Sequence, residues 1–203
     1  MSYLTVHQQD RAGQIGPQGA ALQTMAWSSD LGWMAIAYYG NVLQGVVFGN
    51  ASREKATRAL MRNLGASTGT ARFDRLASSQ PPSDAIAALV DRLNRYSAGE
   101  QVDFRDVEID VSHLTPFGRR VVAACRRIPR GQSRAYGQLA TVCGSPGAAR
   151  AVGQVMAKNR FPLVVPCHRV LAAGGGLGGF SAPSGIAMKR RLLAMEAMSI
   201  SLI

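Results

Sequence analysis

The run Pro166-Cys167-His168-Arg169-Val170 places a candidate nucleophile next to a candidate base. A free cysteine has a pKa of about 8.5 and is mostly an unreactive thiol at neutral pH, so a working nucleophile needs nearby positive charge or a hydrogen-bonded base. His168 can supply either one. Because adjacent side chains on a helix or strand usually point apart, the pair alone is also compatible with a chance neighbourhood. The rest of the sequence must therefore show whether the pair is functional.

The net charge of +11 is concentrated in the C-terminal half of the chain. Residues 1–111 carry 10 Lys or Arg against 11 Asp or Glu, whereas residues 112–203 carry 13 against 1. Such a field attracts a phosphate backbone or an anionic membrane surface, although it can also simply keep a surface solvated. The single acid of that half is Glu196, which we expect to have a specific partner. A plain helix salt bridge to Arg191 is the simpler alternative.

Composition indicates a reduced protein with a substantial core. At 203 residues and 47% hydrophobic, the chain is expected to form one or two compact domains. Three cysteines without paired spacing favour free thiols and a cytoplasmic location over a disulfide framework, and no zinc-site spacing is visible, so we expect no metal and no cofactor. Residues 1–21 read as a loose tail rather than a signal peptide. No apolar run approaches the roughly 18 residues of a transmembrane helix, so no membrane partner is expected.

The N-terminal half reads as a small sheet followed by helices. Apolar or β-branched runs at 22–27, 33–39 and 42–48 are separated by turn residues, which is typical of antiparallel strands. Ser52 is expected to cap a helix that ends near Leu64, and a second helix is expected to start near Ser83. The acidic segment 96–113 reads as a connector with one short strand, and we place the domain boundary within it, between residues 110 and 111.

The C-terminal half reads as helical. Thr115 and Pro116 are typical of a helix cap and first turn, and Cys125 then lies on the apolar face of that helix. A shorter helix over 136–143, a glycine, and a further helix capped by Ser145-Pro146 and continuing over 148–158 have the layout of a helix-turn-helix, which ordinary helical hairpins share. We expect Cys143 to be a packing residue.

The last of these helices has unusually small side chains around Arg150. Small residues allow close packing against another helix, or entry into the minor groove of DNA, which is about 6 Å wide compared with about 12 Å for the major groove. In the second case Arg150 would be the long probe. The small residues are Gly147, Ala148, Ala149, Ala151 and Gly153.

These motifs together resemble the O6-alkylguanine-DNA alkyltransferases, also called methylated-DNA-protein-cysteine methyltransferases. The matching pieces follow in order and spacing between residues 136 and 196, and the likeness extends more weakly back to about residue 22. They are Ala149-Arg150-Ala151-Val152-Gly153, Asn159, Val165-Pro166-Cys167-His168-Arg169-Val170, Leu177-Gly178-Gly179-Phe180-Ser181, Lys189 and Leu192-Leu193-Ala194-Met195-Glu196.

The resemblance implies an α/β fold in two domains that follow the tail of residues 1–21. Residues 22–110 would form a ribonuclease-H-like domain with a small antiparallel sheet plus helices, and residues 111–203 a mostly helical, winged-helix-like domain whose helix-turn-helix binds the minor groove of double-stranded DNA. The damaged nucleotide would swing out into a pocket. By resemblance Arg150 fills the vacated space, Ala149, Ala151 and Gly153 contact the DNA, and Tyr136 crowds the rotated phosphate. The protein is expected to act as a monomer.

The resemblance also implies the reaction. Cys167 would attack the alkyl carbon of O6-alkylguanine as a thiolate, His168 would take the thiol proton through a water, and Glu196 would fix the imidazole tautomer. Tyr136 would protonate the leaving base. A helical turn started by Pro166 would further favour the thiolate. The thioether product has no labile bond, so each molecule would act once; O4-alkylthymine is a further candidate substrate.

By resemblance, the pocket would hold the base through backbone groups at Cys167, Val170 and Ser181, while Asn159 braces the active-site loop. Phe180 departs from the tyrosine of many relatives and removes a hydroxyl from the pocket edge. Ala182-Pro183 replaces a common glycine pair. Residues 1–111 contain no cysteine, so the zinc site of some relatives cannot be built from cysteines here.

Three other functions fit parts of the sequence. A lesion sensor would flip the base without transfer, but such proteins lack the reactive cysteine that this chain keeps. A transcription regulator would need several base-reading side chains, whereas the second helix of the helix-turn-helix offers mainly Arg150 and Gln154. A cysteine hydrolase would require an oxyanion hole, for which the sequence contains no dedicated signal.

Overall fold

The computed structural model describes residues 22–65 and 82–198. The predicted tail, residues 1–21, lies outside the described residues. Within the described ranges, none of the helices combines the length and the apolar character that crossing a membrane requires.

The predicted antiparallel strands are confirmed. Strands β1 (Gln23–Trp27), β2 (Trp33–Tyr39) and β3 (Val42–Asn50) form a three-stranded sheet in the order β1-β2-β3. The β2–β3 turn contains Gly40 with φ +55°, a left-handed conformation that glycine adopts without steric cost. The sequence therefore predicted both the strands and their turns.

Two helices follow the sheet, each capped as predicted. The Ser52 side chain accepts a hydrogen bond from the amide of Lys55 and caps α1 (Arg53–Asn63). Ser83 accepts from the amide of Ile86 and caps α2 (Asp84–Ser97). These bonds satisfy amides that have no partner within the helix.

The sheet is buried on both faces because its side chains alternate between two clusters. Ala35 and Ala37 pack with Leu60 of α1 in a small cluster. Met34 and Ile36 belong instead to the main hydrophobic core. Alternate residues of a strand point to opposite faces of the sheet. Because both faces are covered here, the side chains on both faces are apolar.

The connector after α2 joins the sheet through one bridge rather than a regular strand. Leu43 pairs in parallel with Ile109. The guanidinium of Arg126 holds the connector by donating to the carbonyl oxygens of Phe104 and Val107, both at 2.8 Å. The expected short strand is thus reduced to a single bridge.

Between residues 111 and 198, the structure describes four α-helices and a two-stranded parallel pair. The helices are α3 (Pro116–Arg126), α4 (Tyr136–Val142), α5 (Ala149–Ala157) and α6 (Gly185–Met198), and the strands are β4 (Arg134–Ala135) and β5 (Val170–Leu171). Thr115 caps α3 as predicted, since its hydroxyl accepts from the amide of Gly118. Cys125 and Cys143 are buried in the core.

The prediction that Ser145-Pro146 starts the next helix is wrong. Helix α5 begins at Ala149, after a turn in which the amide of Ala148 donates to the carbonyl of Ser145. Gly147 has φ +87°, which is not helical and separates Pro146 from the helix.

One hydrophobic core crosses the predicted domain boundary at 110/111. Its buried residues come from the sheet and α2 on one side and from α3, α5 and α6 on the other. The amide of Val46 in β3 donates to the carbonyl of Arg160 at 2.8 Å. The division into two domains stays a prediction.

Candidate active site

Cys167 begins a 3-10 turn that connects the end of a loop to β5. The turn spans Cys167–Arg169 and follows Pro166, as predicted. Because β5 pairs in parallel with β4, and β4 leads directly into α4, the pairing brings the start of α4 at Tyr136 to the same region.

The loop before Cys167 is braced by Asn159. Its Nδ2 donates to the carbonyl of Val165 at 2.9 Å, and its Oδ1 accepts from the amide of Phe161 at 3.0 Å. Between them, buried Leu163 has φ +73°, which is unusual for a bulky residue. The surrounding bonds hold this strained backbone in place.

Cys167 is 8% exposed and lines a cavity of about 680 Å³. Burial raises the pKa of Cys167, and the opposing effects of a hydrogen bond with Asn159 and the positive charge of Lys189 do not offset it. The 3-10 turn therefore does not bring the thiol pKa below its usual range, as its dipole was expected to help do. The resting state is the thiol, and a base must remove its proton.

His168 and Glu196 form a completely buried pair. The distance from Nε2 of His168 to Oε1 of Glu196 is 2.9 Å, and both side chains are at most 1% exposed. Burial lowers the pKa of His168 more than the neighbouring carboxylate raises it. Burial would raise the pKa of Glu196, but hydrogen bonds from His168 and Arg169 hold it well below its usual range.

These shifts define the tautomer of His168. An ionised Glu196 can only accept hydrogen bonds, so a neutral His168 carries its proton on Nε2. Nδ1 is left as the basic nitrogen, and it is buried with no hydrogen-bond partner among residues 22–65 and 82–198. The pair can thus act as base and orienter.

Arg169 is the main charged partner of Glu196, the single acid of the C-terminal half. Its Nε and Nη2 donate to the two oxygens of Glu196 at 2.9 and 2.8 Å, and its Nη1 donates to the carbonyl of Ile128 at 2.6 Å. Arg191 instead donates to the carbonyl of Asp30. The expectation of a specific partner for Glu196 is confirmed, and the alternative with Arg191 is not observed.

Sequence reasoning missed two contacts of this cluster. The hydroxyl of Tyr96 donates to Oε1 of Glu196 at 2.7 Å, across 100 residues of chain. Lys189, which is fully buried, donates from Nζ to the carbonyl of Val170 at 2.6 Å, and burial lowers its pKa. The motif contained Lys189 and Arg169 without a role, whereas no local pattern marked Tyr96.

The cavity brings most of the predicted pocket residues together. Tyr136, Gly153, Asn159, Phe180 and Ser181 line it together with Cys167. The rest of its lining includes residues of the N-terminal half, among them Phe48, Asn50, Arg62 and Asn63.

The segment over 179–183 is held against the rest of the cavity wall. The hydroxyl of Ser181 donates to the carbonyl of Ala157 in α5 at 3.0 Å. The ring of Phe180 lies 6.4 Å from that of Phe48 between centroids. The contact between the two rings joins the two halves of the chain at the cavity, whereas the Ser181 hydrogen bond lies within the C-terminal half.

Val170, whose backbone was predicted to hold the base, is packed inside the protein. It is fully buried and does not line the cavity; its amide donates to the carbonyl of Cys167, and its carbonyl accepts from Lys189. Each backbone group thus has one partner within the protein, and the carbonyl oxygen keeps a second lone pair, so the role of Val170 as a contact for the base stays a prediction.

Helix α5 presents Arg150 to solvent beside the cavity. Arg150 is exposed, and Ala149 and Ala151 are half-buried next to it. Gly153 and Ala157 lie three and seven positions further along, on the same helix face, and line the cavity. A β-carbon at Gly153 would lie 4.0 Å from the ring of Tyr136, so a small residue keeps this edge open.

No three His, Cys, Asp or Glu side chains of the described residues are grouped so that they could hold a metal ion. The chemistry that the site can perform is that of a buried thiol, a neutral imidazole and an ionised carboxylate. Such a set supports nucleophilic attack by sulfur with proton removal by histidine.

Comparison with known proteins places this site in a family. Residues 116–198 match the family model described as 6-O-methylguanine DNA methyltransferase, DNA binding domain. The methylated-DNA--protein-cysteine methyltransferase of Mycobacterium tuberculosis is 47% identical over 116 residues, which are 57% of this chain and 68% of the relative. The constitutive enzyme of that name from Bacillus subtilis is 41% identical over 115 residues, 56% and 67% of the two chains.

Solved structures of the same family are also similar to this chain. The OGT of Mycobacterium tuberculosis in complex with DNA has 35% identity and a TM-score of 0.64, covering 87% of this chain and 93% of that one. The O6-methylguanine-DNA methyltransferase of Pyrococcus kodakaraensis has 29% identity and a TM-score of 0.61, covering 86% and 98%. The fold, mixed α/β with a small antiparallel sheet, is that of the cysteine-dependent DNA alkyltransferases. The chain belongs to the methylated-DNA-protein-cysteine methyltransferase family, which confirms the resemblance found in the sequence.

Proposed function

We propose that this protein repairs DNA by direct reversal, moving the alkyl group of O6-alkylguanine irreversibly to Cys167. The observation that carries this proposal is the thiol of Cys167 on the wall of a cavity, next to the buried His168–Glu196 pair. A cavity of about 680 Å³ can receive a rotated purine.

The reaction begins from neutral partners. Nδ1 of His168, directly or through one water, removes the thiol proton, and Glu196 stabilises the imidazolium that forms. The sulfur of Cys167 then bonds to the alkyl carbon as the bond from that carbon to O6 breaks, and the electron pair remains on the purine. Burial raises the pKa of Tyr136, so its hydroxyl is protonated and can donate to the leaving base.

The product explains the single turnover. A thioether offers no leaving group to water at neutral pH, so the alkyl group stays on Cys167. One protein molecule therefore repairs one lesion, and the yield of repair is limited by the amount of protein.

DNA would reach the site along α5. Arg150 is exposed on the helix face that continues into the cavity through Gly153. The small residues Ala149 and Ala151 beside it fit close entry into the minor groove, and Arg150 would occupy the space that the flipped nucleotide leaves. The related M. tuberculosis protein has been crystallised with DNA.

The domain arrangement is part of the same proposal. Residues 22–110, with the sheet, α1 and α2, would form the ribonuclease-H-like domain. Residues 111–203 would form the winged-helix-like DNA-binding domain, with α4 and α5 as the helix-turn-helix. Three free cysteines fit work in a reducing compartment such as the cytoplasm.

Within the cavity, we propose that Ser181 and the backbone at Cys167 hold the base, while Asn159 keeps the loop in shape. Phe180 would contact the alkyl group or the base through an apolar ring, without the hydroxyl of a tyrosine. O4-alkylthymine would be a second substrate of the same cavity.

Intact-protein mass spectrometry tests the proposal. After incubation with an O6-methylguanine duplex, the protein should gain one methyl in place of one hydrogen, and digestion should locate it on Cys167. An unchanged mass with tight binding would instead indicate a lesion sensor. An unchanged mass with preference for one unmodified sequence would indicate a transcription regulator, and acyl-substrate turnover a cysteine hydrolase.

A further inference from the structure

Tyr96 connects α2 to the catalytic pair from a place far away in the chain. It is 1% exposed, and its hydroxyl donates to Oε1 of Glu196 at 2.7 Å. The same oxygen contacts Nε2 of His168 at 2.9 Å, and the Tyr96 hydroxyl lies 3.4 Å from that nitrogen. Tyr96 thus touches both members of the pair.

The carboxylate of Glu196 is surrounded by donors. Oε1 accepts hydrogen bonds from Tyr96, His168 and Nη2 of Arg169. Oε2 accepts hydrogen bonds from Nε of Arg169 and, at 3.5 Å, from the amide of Gly131. An ionised carboxylate offers about four lone-pair sites, so these donors satisfy both of its oxygens. Tyr96 is the neutral hydroxyl donor of the set, because burial and the nearby Glu196 raise its pKa.

Packing holds the ring of Tyr96 in a single position. The ring of Phe104 meets it edge-on at 5.9 Å between centroids, and the guanidinium of Arg130 lies 5.4 Å from its centre. Arg130 also donates to the carbonyls of Gly99 and Met195, so it joins the end of α2 to α6 next to Glu196. The Tyr96 hydroxyl is therefore held in place and can fix the position of the Glu196 carboxylate.

We propose that Tyr96 is a positioning residue of the alkyl transfer, whose hydroxyl fixes the carboxylate of Glu196 and thereby the orientation and basicity of His168. This inference rests on the proposed function. It makes the N-terminal half of the chain part of the reaction machinery, since Tyr96 lies outside residues 116–198 of the family model.

The hydrogen bond from Tyr96 to Glu196 determines in which direction the protonation of His168 should shift when the hydroxyl is removed. A donor disperses the negative charge of Glu196 and so weakens its pull on the imidazole proton. Without the hydroxyl, Glu196 would stabilise the imidazolium more strongly, and His168 would become protonated at a higher pH. The imidazole would also be less well oriented toward Cys167.

The test is Tyr96→Phe, measured as single-turnover transfer from an O6-methylguanine duplex across a range of pH. We expect the acid limb of the rate profile to move to higher pH and the plateau rate to fall about tenfold through lost orientation. Affinity for the duplex should remain that of the wild type. Tyr38→Phe is the matched control, because Tyr38 is equally buried but is not a partner of Glu196.

A wild-type pH profile and plateau in Tyr96→Phe would overturn the inference, and so would the same change in Tyr38→Phe. If Tyr96→Phe fails to fold, replacement of Tyr96 by 3-fluorotyrosine keeps the size and strengthens the donor, and the acid limb should then move to lower pH. An unmoved limb there would also overturn it. Failure of the proposed function is distinguishable, because the wild-type protein itself would then transfer no alkyl group.

Discussion

The buried cluster around Glu196 and the exposed face of α5 use arginine in opposite ways. Arg169 is 9% exposed and has its donors committed to Glu196 and Ile128. Arg150 is exposed on a helix of small residues. A buried charge with fixed partners determines geometry, whereas an exposed one is available to a ligand. Chemistry and DNA affinity should therefore be separable by mutation.

The largest effect should come from Cys167→Ser. A serine hydroxyl is far less acidic than a thiol, so His168 cannot generate the nucleophile and transfer should be abolished. Duplex affinity should persist, because the proposed DNA-binding face lies on α5. Mass spectrometry and a binding assay measure the two properties. Cys143→Ser is the control and should keep transfer; methylation of the Cys167→Ser protein at another site would contradict the assignment.

The next effect should come from Glu196→Gln, which acts on rate and on stability. Removing one partner of a buried ion pair costs about 3–5 kcal/mol, because Arg169 would keep an uncompensated charge. Transfer should slow by a large factor as His168 loses its orienter. Chemical denaturation and single-turnover kinetics measure the two losses. Glu108→Gln removes an exposed carboxylate and should change stability by less than about 0.5 kcal/mol.

Acid should destabilise the protein through the same pair. The pKa of Glu196 is lowered in the fold, so its stabilising contribution is present above its unfolded pKa of about 4.3 and is lost as pH falls from there toward the folded value. The pKa of His168 is also lowered, so its unfolded form gains a proton first, below about 6.5, and stability falls there too.

Denaturation of the wild-type protein at successive pH values measures both contributions. Glu196→Gln should flatten the more acidic part of the curve. An equally steep loss of stability in that variant would show that other carboxylates dominate.

A smaller and more selective effect should come from Arg150→Ala. Repair of duplex should fall about tenfold or more if Arg150 fills the space of a flipped nucleotide, whereas reaction with the free base O6-methylguanine should not change. Single-turnover rates on the two substrates measure this. Arg127→Ala removes an equally exposed charge that is not part of α5 and serves as the control. Equal losses on duplex and free base would contradict the intercalating role.

The smallest effect concerns salt. Binding to duplex should weaken as salt rises, with each phosphate contact contributing about 0.9 to the log–log slope. Because Arg150 is proposed to enter the base stack rather than to contact phosphate, Arg150→Ala should leave the slope nearly unchanged. Titrations of both proteins at several salt concentrations measure it. A slope lower by about one unit would reassign Arg150 to the backbone.

Local patterns predicted most of the secondary structure. Thr115 and Ser83 have the chemistry of helix caps, and Gly40 that of a tight turn, so their positions followed from short-range rules. The same rules failed at Ser145-Pro146. The left-handed Gly147 two residues later outweighed the cap signal and delayed α5 to Ala149.

By itself, the sequence was enough to predict Cys167 as the nucleophile, His168 as the base and Glu196 as the acid that orients it, because a specific motif and the single acid of the basic C-terminal half can be read without coordinates. The tertiary structure decided that Tyr96 joins this acid, that Val170 is engaged inside the protein, and that the thiol is protonated at rest. Desolvation and hydrogen bonding depend on distances through space. Because Tyr96 and Glu196 are 100 residues apart in the chain, no local sequence pattern could predict their contact.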